Sequence, residues 1–147
     1  MIGSSPVLKV LLIEDEAAIR LVCRVNLEAD GLEVVEAPDG PTGLELARRE
    51  RPDAVLVDVL LPGLDGWQVA EALVSDAATS AIPVVFLTAL VHPAGEEPSP
   101  ALVLVKPFDP TALAALVQEV VAAAARGERA QLTKERIGEL RARFDVG

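Results

Sequence analysis

Five short apolar runs punctuate the chain, at Val7 to Ile13, Leu32 to Val35, Ala54 to Val57, Val84 to Leu87 and Leu102 to Val105. Most lack the alternation of apolar and polar residues that marks a strand with one wet face. Unbroken apolar runs of this length suit a parallel sheet covered on both sides. Helical patterns lie between them. Ile19, Val22, Cys23 and Leu27 fall on one face and stop at Asp30 and Gly31, while Leu44 and Ala47 mark a shorter second helix. Val69, Ala70, Leu73 and Val74 mark a third helix after Gly66. A later one starts at Asp109 and Pro110, presents Leu113, Leu116, Val117 and Val120, and halts near Gly127. Strand and helix alternate, which implies a doubly wound sheet with right-handed crossovers. Ligands of such sheets bind outside the carboxyl ends of the strands.

One connection breaks the rhythm. Only 17 residues separate Thr88 from Lys106, and they include Pro93, Gly95, Pro98 and Pro100. Proline removes a donor and clashes inside a helix, so the fourth helix is expected to be shortened or missing.

At 147 residues the chain holds about one domain with a single sizeable core, and 51% hydrophobic with 24% charged residues is a folding composition. The net charge of −10 argues against direct nucleic-acid binding, which needs clustered Lys and Arg. No apolar stretch approaches the roughly 20 residues of a membrane span, and MIGSSPVLKVLLIEDE runs into acids without a secretory pattern. A cytoplasmic location is the expectation. A single cysteine, Cys23, cannot form an internal disulfide; with Leu21, Val22 and Val25 around it, it reads as helix packing. Residues 1 to 125 hold 7 basic and 19 acidic side chains, whereas residues 126 to 147 hold 6 and 4. The division is therefore a domain over 1–126 and a tail over 127–147. The tail reads as one more helix, with Thr133 as cap, Glu135 in the first turn and Ile137, Leu140 and Phe144 on one face. It either docks on its own domain or offers a dimer or partner contact.

The strand ends carry polar groups that packing does not require. The first run ends in Glu14, Asp15 and Glu16, the third in Asp58, the fourth in Thr88 and the fifth in Lys106. A parallel sheet converges these groups at one edge. Crowded carboxylates repel unless a cation sits among them, and an all-oxygen set favours Mg²⁺ or Mn²⁺ over zinc. The lone histidine, His92, lies in the proline-rich stretch and is given no role. Each residue also has a plainer reading: Glu14 and Asp15 could cap the first helix, Asp58 and Thr88 could form turns, and Lys106 could be a solvated end. Pro62, Gly63, Asp65 and Gly66 read as loop geometry, and Trp67 as packing.

In the order IEDE, DVLLPGLDG, FLTA and KPF, with APDGPTGLELA at Ala37 to Ala47, these segments resemble the receiver domain of two-component response regulators, over roughly residues 7 to 125. The resemblance implies a five-stranded flavodoxin-like sheet of order 2-1-3-4-5. It makes Asp58 the acceptor that forms an aspartyl phosphate, with a sensor histidine kinase or phosphotransfer protein as donor. Glu14, Asp15, Asp58 and the backbone carbonyl of Leu60 would hold the metal. Thr88 would donate its hydroxyl to a phosphoryl oxygen, Lys106 would pair with it, and the Lys106–Pro107 bond would be cis. Phosphoryl transfer is mainly positioning and charge neutralisation, which such a site supplies.

Three departures from the family stand out. Val103 occupies the position three before Lys106, where many receivers carry an aromatic ring that rotates on activation. The contracted fourth-helix region alters a face used for dimerisation and partner contact. Leu60 and Leu90, which flank the phosphoryl group in the family, are both apolar and lack a group to orient water. The alternatives are a receiver-like scaffold that binds partners without switching, and a phosphatase with Asp58 as covalent nucleophile. The haloacid-dehalogenase type of phosphatase expects a second Asp where Leu60 stands. No separate catalytic domain fits in the chain, and a homodimer would use the tail or the fourth-helix and fifth-strand face.

Overall fold

A computed structural model describes residues 7–88, 103–105, 109–127 and 132–144. Strands β1 (Lys9–Ile13), β2 (Glu33–Ala37), β3 (Ala54–Asp58), β4 (Val84–Thr88) and β5 (Val103–Val105) form one parallel sheet of order β2-β1-β3-β4-β5. Helices α1 (Ala17–Ala29), α2 (Gly40–Glu50), α3 (Gly66–Ser75), α4 (Leu113–Ala125, led by a 3₁₀ turn at Pro110–Ala112) and α5 (Lys134–Phe144) complete it. This is the doubly wound α/β fold expected from the apolar runs. The length of any helix between β4 and β5, together with His92, Leu90, Lys106 and the Lys106–Pro107 bond, lies outside the described residues, as does the side chain of Val103.

The unbroken apolar runs have a simple cause. Leu11 and Ile13 of β1, Val55 and Val57 of β3, and Val84 and Phe86 of β4 face a core shared with α2, α3 and α5. Their neighbours Val10 and Leu12, Ala54 and Leu56, and Val85 and Leu87 face a second core under α1 and α4. With both faces covered, each strand residue between Val10 and Ile13 is buried.

Helix ends follow their local chemistry. Asp39 caps α2 by accepting from the Thr42 N–H (2.8 Å), and Asp65 forms a reciprocal capping box with Gln68 at α3. Asp109 accepts from the Thr111 N–H (3.0 Å) before α4, and Thr133 from the Arg136 N–H (3.1 Å) at α5. Gly31 (φ +88°) and Gly127 (φ +70°) take left-handed backbone where α1 and α4 stop.

Cys23 is buried in the packing role expected of it, but the expected core face of α1 needs one correction: Val22 is 46% exposed, and Leu21 and Val25 are 58% and 54% exposed. On α1 the buried row is Cys23 and Leu27, one turn apart; Leu21 and Val25 project about 160° away from Cys23 at 100° per residue. The tail helix turns inward. Ile137 and Leu140 are fully buried in the α2 and α3 core, together with Leu132 just before the helix. Among the described residues, no helix is long and apolar enough to cross a membrane.

Candidate functional site

Register places the site. Ile13 of β1 pairs with Val57 of β3, so the next residues, Glu14 and Asp58, leave the sheet side by side at its carboxyl edge. The Glu14 N–H still bonds to the Ala37 carbonyl (3.0 Å), and the Val59 N–H to that of Leu87 (2.8 Å), holding both chains straight to the rim. Glu14 and Asp58 are buried and Asp15 is exposed; one carboxylate oxygen from each of the three lies within 4.8 Å of the others.

The cap position of α1 is Glu16, which makes no side-chain capping bond, and its N–H donates to the Glu14 Oε2 at 3.4 Å. The Arg20 Nη1 donates to the Glu14 carbonyl (2.8 Å) and its Nε pairs with Glu36 (3.3 Å), pinning the strand end to α1. Sequence reasoning gave Arg20 no part here. Its only signal was a basic residue one turn into a helix that follows three acids.

Beyond β3 the Leu60 N–H donates to the Asp58 Oδ1 (3.1 Å), orienting the carboxylate, while the Leu60 side chain is 52% exposed. Gly63 takes φ +75° in the turn. The chain then doubles back so tightly that the Gly66 N–H bonds to the Val59 carbonyl (3.0 Å). A Cβ on Gly66 would strike the Asp58 carbonyl oxygen and lie 2.7 Å from the Val59 Cα. Only glycine fits there. Asp65 is the α3 cap, a structural role, and Trp67 is buried with its ring 4.5 Å from that of Phe86.

Thr88 is the last residue of β4 and pairs with Val105, which puts its backbone on the same rim. Its side chain and Lys106 lie outside the described residues. An open groove near Leu8, Asp30, Asp53 and Gln118 sits at the opposite edge of the sheet and shares no residue with the cluster.

The carboxylates fit a small divalent cation. With metal–oxygen bonds of about 2.1 Å, two ligands of Mg²⁺ are at most about 4.2 Å apart. Neighbouring ligands of an octahedral ion stand about 3 Å apart, so oxygens that all lie within 4.8 Å of one another need to close by no more than roughly 2 Å, within reach of side-chain rotation. The donor set is all oxygen, with no sulfur or imidazole, which selects hard cations.

The model of the response regulator receiver domain matches residues 10–118. The chain belongs to this family. It is 41% identical over 80 residues to Protein PilH of Pseudomonas aeruginosa, covering 54% of this chain and 66% of PilH. It is 40% identical over 117 residues to Response regulator PleD of Caulobacter vibrioides, covering 76% of this chain and 26% of PleD. Against the transcriptional regulatory protein CseB of Streptomyces coelicolor the figures are 38%, 76% and 48%. The chain thus spans two thirds or less of these relatives. Among solved structures, the chemotaxis protein CheY4 of Vibrio cholerae superposes with a TM-score of 0.69 at 29% identity, over 78% of this chain and 99% of that one.

Proposed function

We propose that this receiver takes a phosphoryl group onto Asp58 from a phosphohistidine of a sensor kinase or phosphotransfer protein, and signals through protein contacts in the cytoplasm. An Asp58 oxygen attacks phosphorus, the P–N bond breaks, and the imidazole keeps the electron pair and takes a proton. The observation that carries this reading is the convergence of buried Asp58 and Glu14 with Asp15 at the carboxyl edge, where doubly wound sheets bind their ligands.

Glu14, Asp15, Asp58 and the Leu60 carbonyl would hold Mg²⁺, or Mn²⁺ in its place. When bound, the ion neutralises charge on the phosphoryl oxygens. Arg20 and the Glu14 N–H bond keep the first strand end fixed, and the Leu60 N–H orients the Asp58 carboxylate before attack. Thr88 is assigned to a phosphoryl oxygen as hydroxyl donor and Lys106 to an ion pair with it. Leu60 at the rim offers attacking water no polar partner, so slow autodephosphorylation is expected; a phosphoryl half-life of seconds in the purified protein would count against it.

Incubation with acetyl phosphate and Mg²⁺ followed by intact mass is the direct test. The wild type should gain about 80 Da, the phosphoryl group, and Asp58→Asn should not. No gain in the wild type would favour a constitutive binding scaffold, the reading that Val103, with no ring to rotate, keeps open.

A further inference from the structure

The place of α5 has a meaning that the tail's sequence alone does not carry. From β2 to β3, β3 to β4 and β4 to β5 the chain steps in one direction across the sheet. With right-handed connections, crossovers stepping this way fall on one face, and α2 and α3 are found there. The β4–β5 link carries Pro93, Gly95, Pro98 and Pro100, a sequence hostile to a helix. On that same face lies α5, packed against α3, with Leu132, Ile137 and Leu140 in one apolar cluster with Trp67, Val84 and Phe86.

Among the described residues, one short segment runs between the carboxylate cluster and α5. At one end the Leu60 N–H donates to Asp58. In the middle, Val59 and Leu61 belong to the apolar cluster that holds α5. At the other end Asp65 caps α3 and places its Oδ2 3.6 Å from the Arg141 Nη2 of α5.

We propose that α5 is a releasable cover on the α3 face of the core, loosened when Asp58 is phosphorylated. The coupling rests on the phosphoacceptor reading above. An acyl phosphate turns the carboxylate that accepts the Leu60 N–H into a neutral carbonyl, a weaker acceptor. The 59–65 segment loses this one tie to the site, which loosens the contact it makes with α5 through Asp65 and Arg141. What release uncovers is the apolar side of α3 on which Ile137 and Leu140 rest.

Hydrogen exchange of the full chain, read by mass over residues 134–142, tests this, with intact mass measured in parallel. Acetyl phosphate with Mg²⁺ should speed exchange in α5 about fivefold or more while α2 stays protected. A full phosphoryl gain with α5 unchanged or slower overturns the coupling. If no phosphoryl is gained, the phosphoacceptor reading fails on its own, and Asp58→Ala decides the route because it removes the acceptor of the Leu60 N–H directly. Unchanged α5 exchange in that variant overturns the inference. Arg141→Ala, at the surface and clear of the site, should speed α5 exchange in the unmodified chain; no change there overturns the latch.

Discussion

Thermal unfolding in graded Mg²⁺ tests whether the three carboxylates act as one cation site, and the structure sets the size of the effect. A dication inside the cluster lies no more than 4.8 Å from the Asp58 oxygen. Even with the dielectric of water, attraction to that one charge is then at least about 1.7 kcal/mol, or roughly twentyfold in Kd at low ionic strength. At a Mg²⁺ concentration of about ten times the wild-type Kd, linkage gives about 1.4 kcal/mol of added stability. At about 2.1 cal/mol/K per residue, unfolding this chain releases roughly 0.3 kcal/mol/K, so the wild-type midpoint rises by about 4 to 5 °C. Asp58→Asn at the same Mg²⁺ keeps about 0.2 kcal/mol, a rise under about 1 °C. Glu119→Gln, an exposed acid on α4, should retain the full response. The measurement is scanning fluorimetry at constant ionic strength. An Asp58→Asn protein that kept more than half of the wild-type shift, or a wild type that did not respond, would refute the shared site.

Ile137→Ala empties a fully buried position under α3 and should lower unfolding stability by about 2 to 5 kcal/mol in urea; a loss near zero would mean that α5 is not seated in solution. Gly66→Ala forces a methyl group against the Asp58 and Val59 backbone and should cost more than about 2 kcal/mol while blunting the Mg²⁺ response, since the turn behind the acceptor must open. Three carboxylates sit below the usual aspartate range: Asp39 through hydrogen bonds from the Thr42 side chain and N–H, Asp76 through the Ala78 N–H and then Arg48, and Asp109 through the Thr111 side chain and N–H. Folded values lower than unfolded ones mean that this stabilisation is present at neutral pH and is lost as pH falls through the folded values. Denaturation midpoints should therefore drop in acid, and the triple Asn variant at 39, 76 and 109 should flatten that slope; an unchanged slope would sink the assignment.

What could be read ahead of the structure, and what could not, divides along a physical line. The strands were legible because burial on both faces leaves no place for a polar residue, so Leu11 and Leu12, pointing oppositely, are equally apolar. The carboxylate cluster was legible for the complementary reason: Glu14 and Asp58 end apolar strands where packing has no use for a charge, and parallel register brings such ends together. Patterns local to one element stop there. A periodic face tells that a helix buries one side but not against what, so the seat of Ile137 and Leu140 on α3 could not be read from the tail. For α1 the pattern was too generous: Leu21, Val22 and Val25 are as apolar as Leu27, yet only the Cys23–Leu27 row meets the sheet. Gly66 shows the sharpest limit. Its glycine looks like ordinary turn chemistry until the Asp58 carbonyl is found where a Cβ would stand, a contact across eight residues of chain. Helix α5 and this turn are therefore linked by more than neighbourhood, because the glycine that lets the chain double back at the acceptor also sets where α3 begins, and α3 is the surface on which the tail rests.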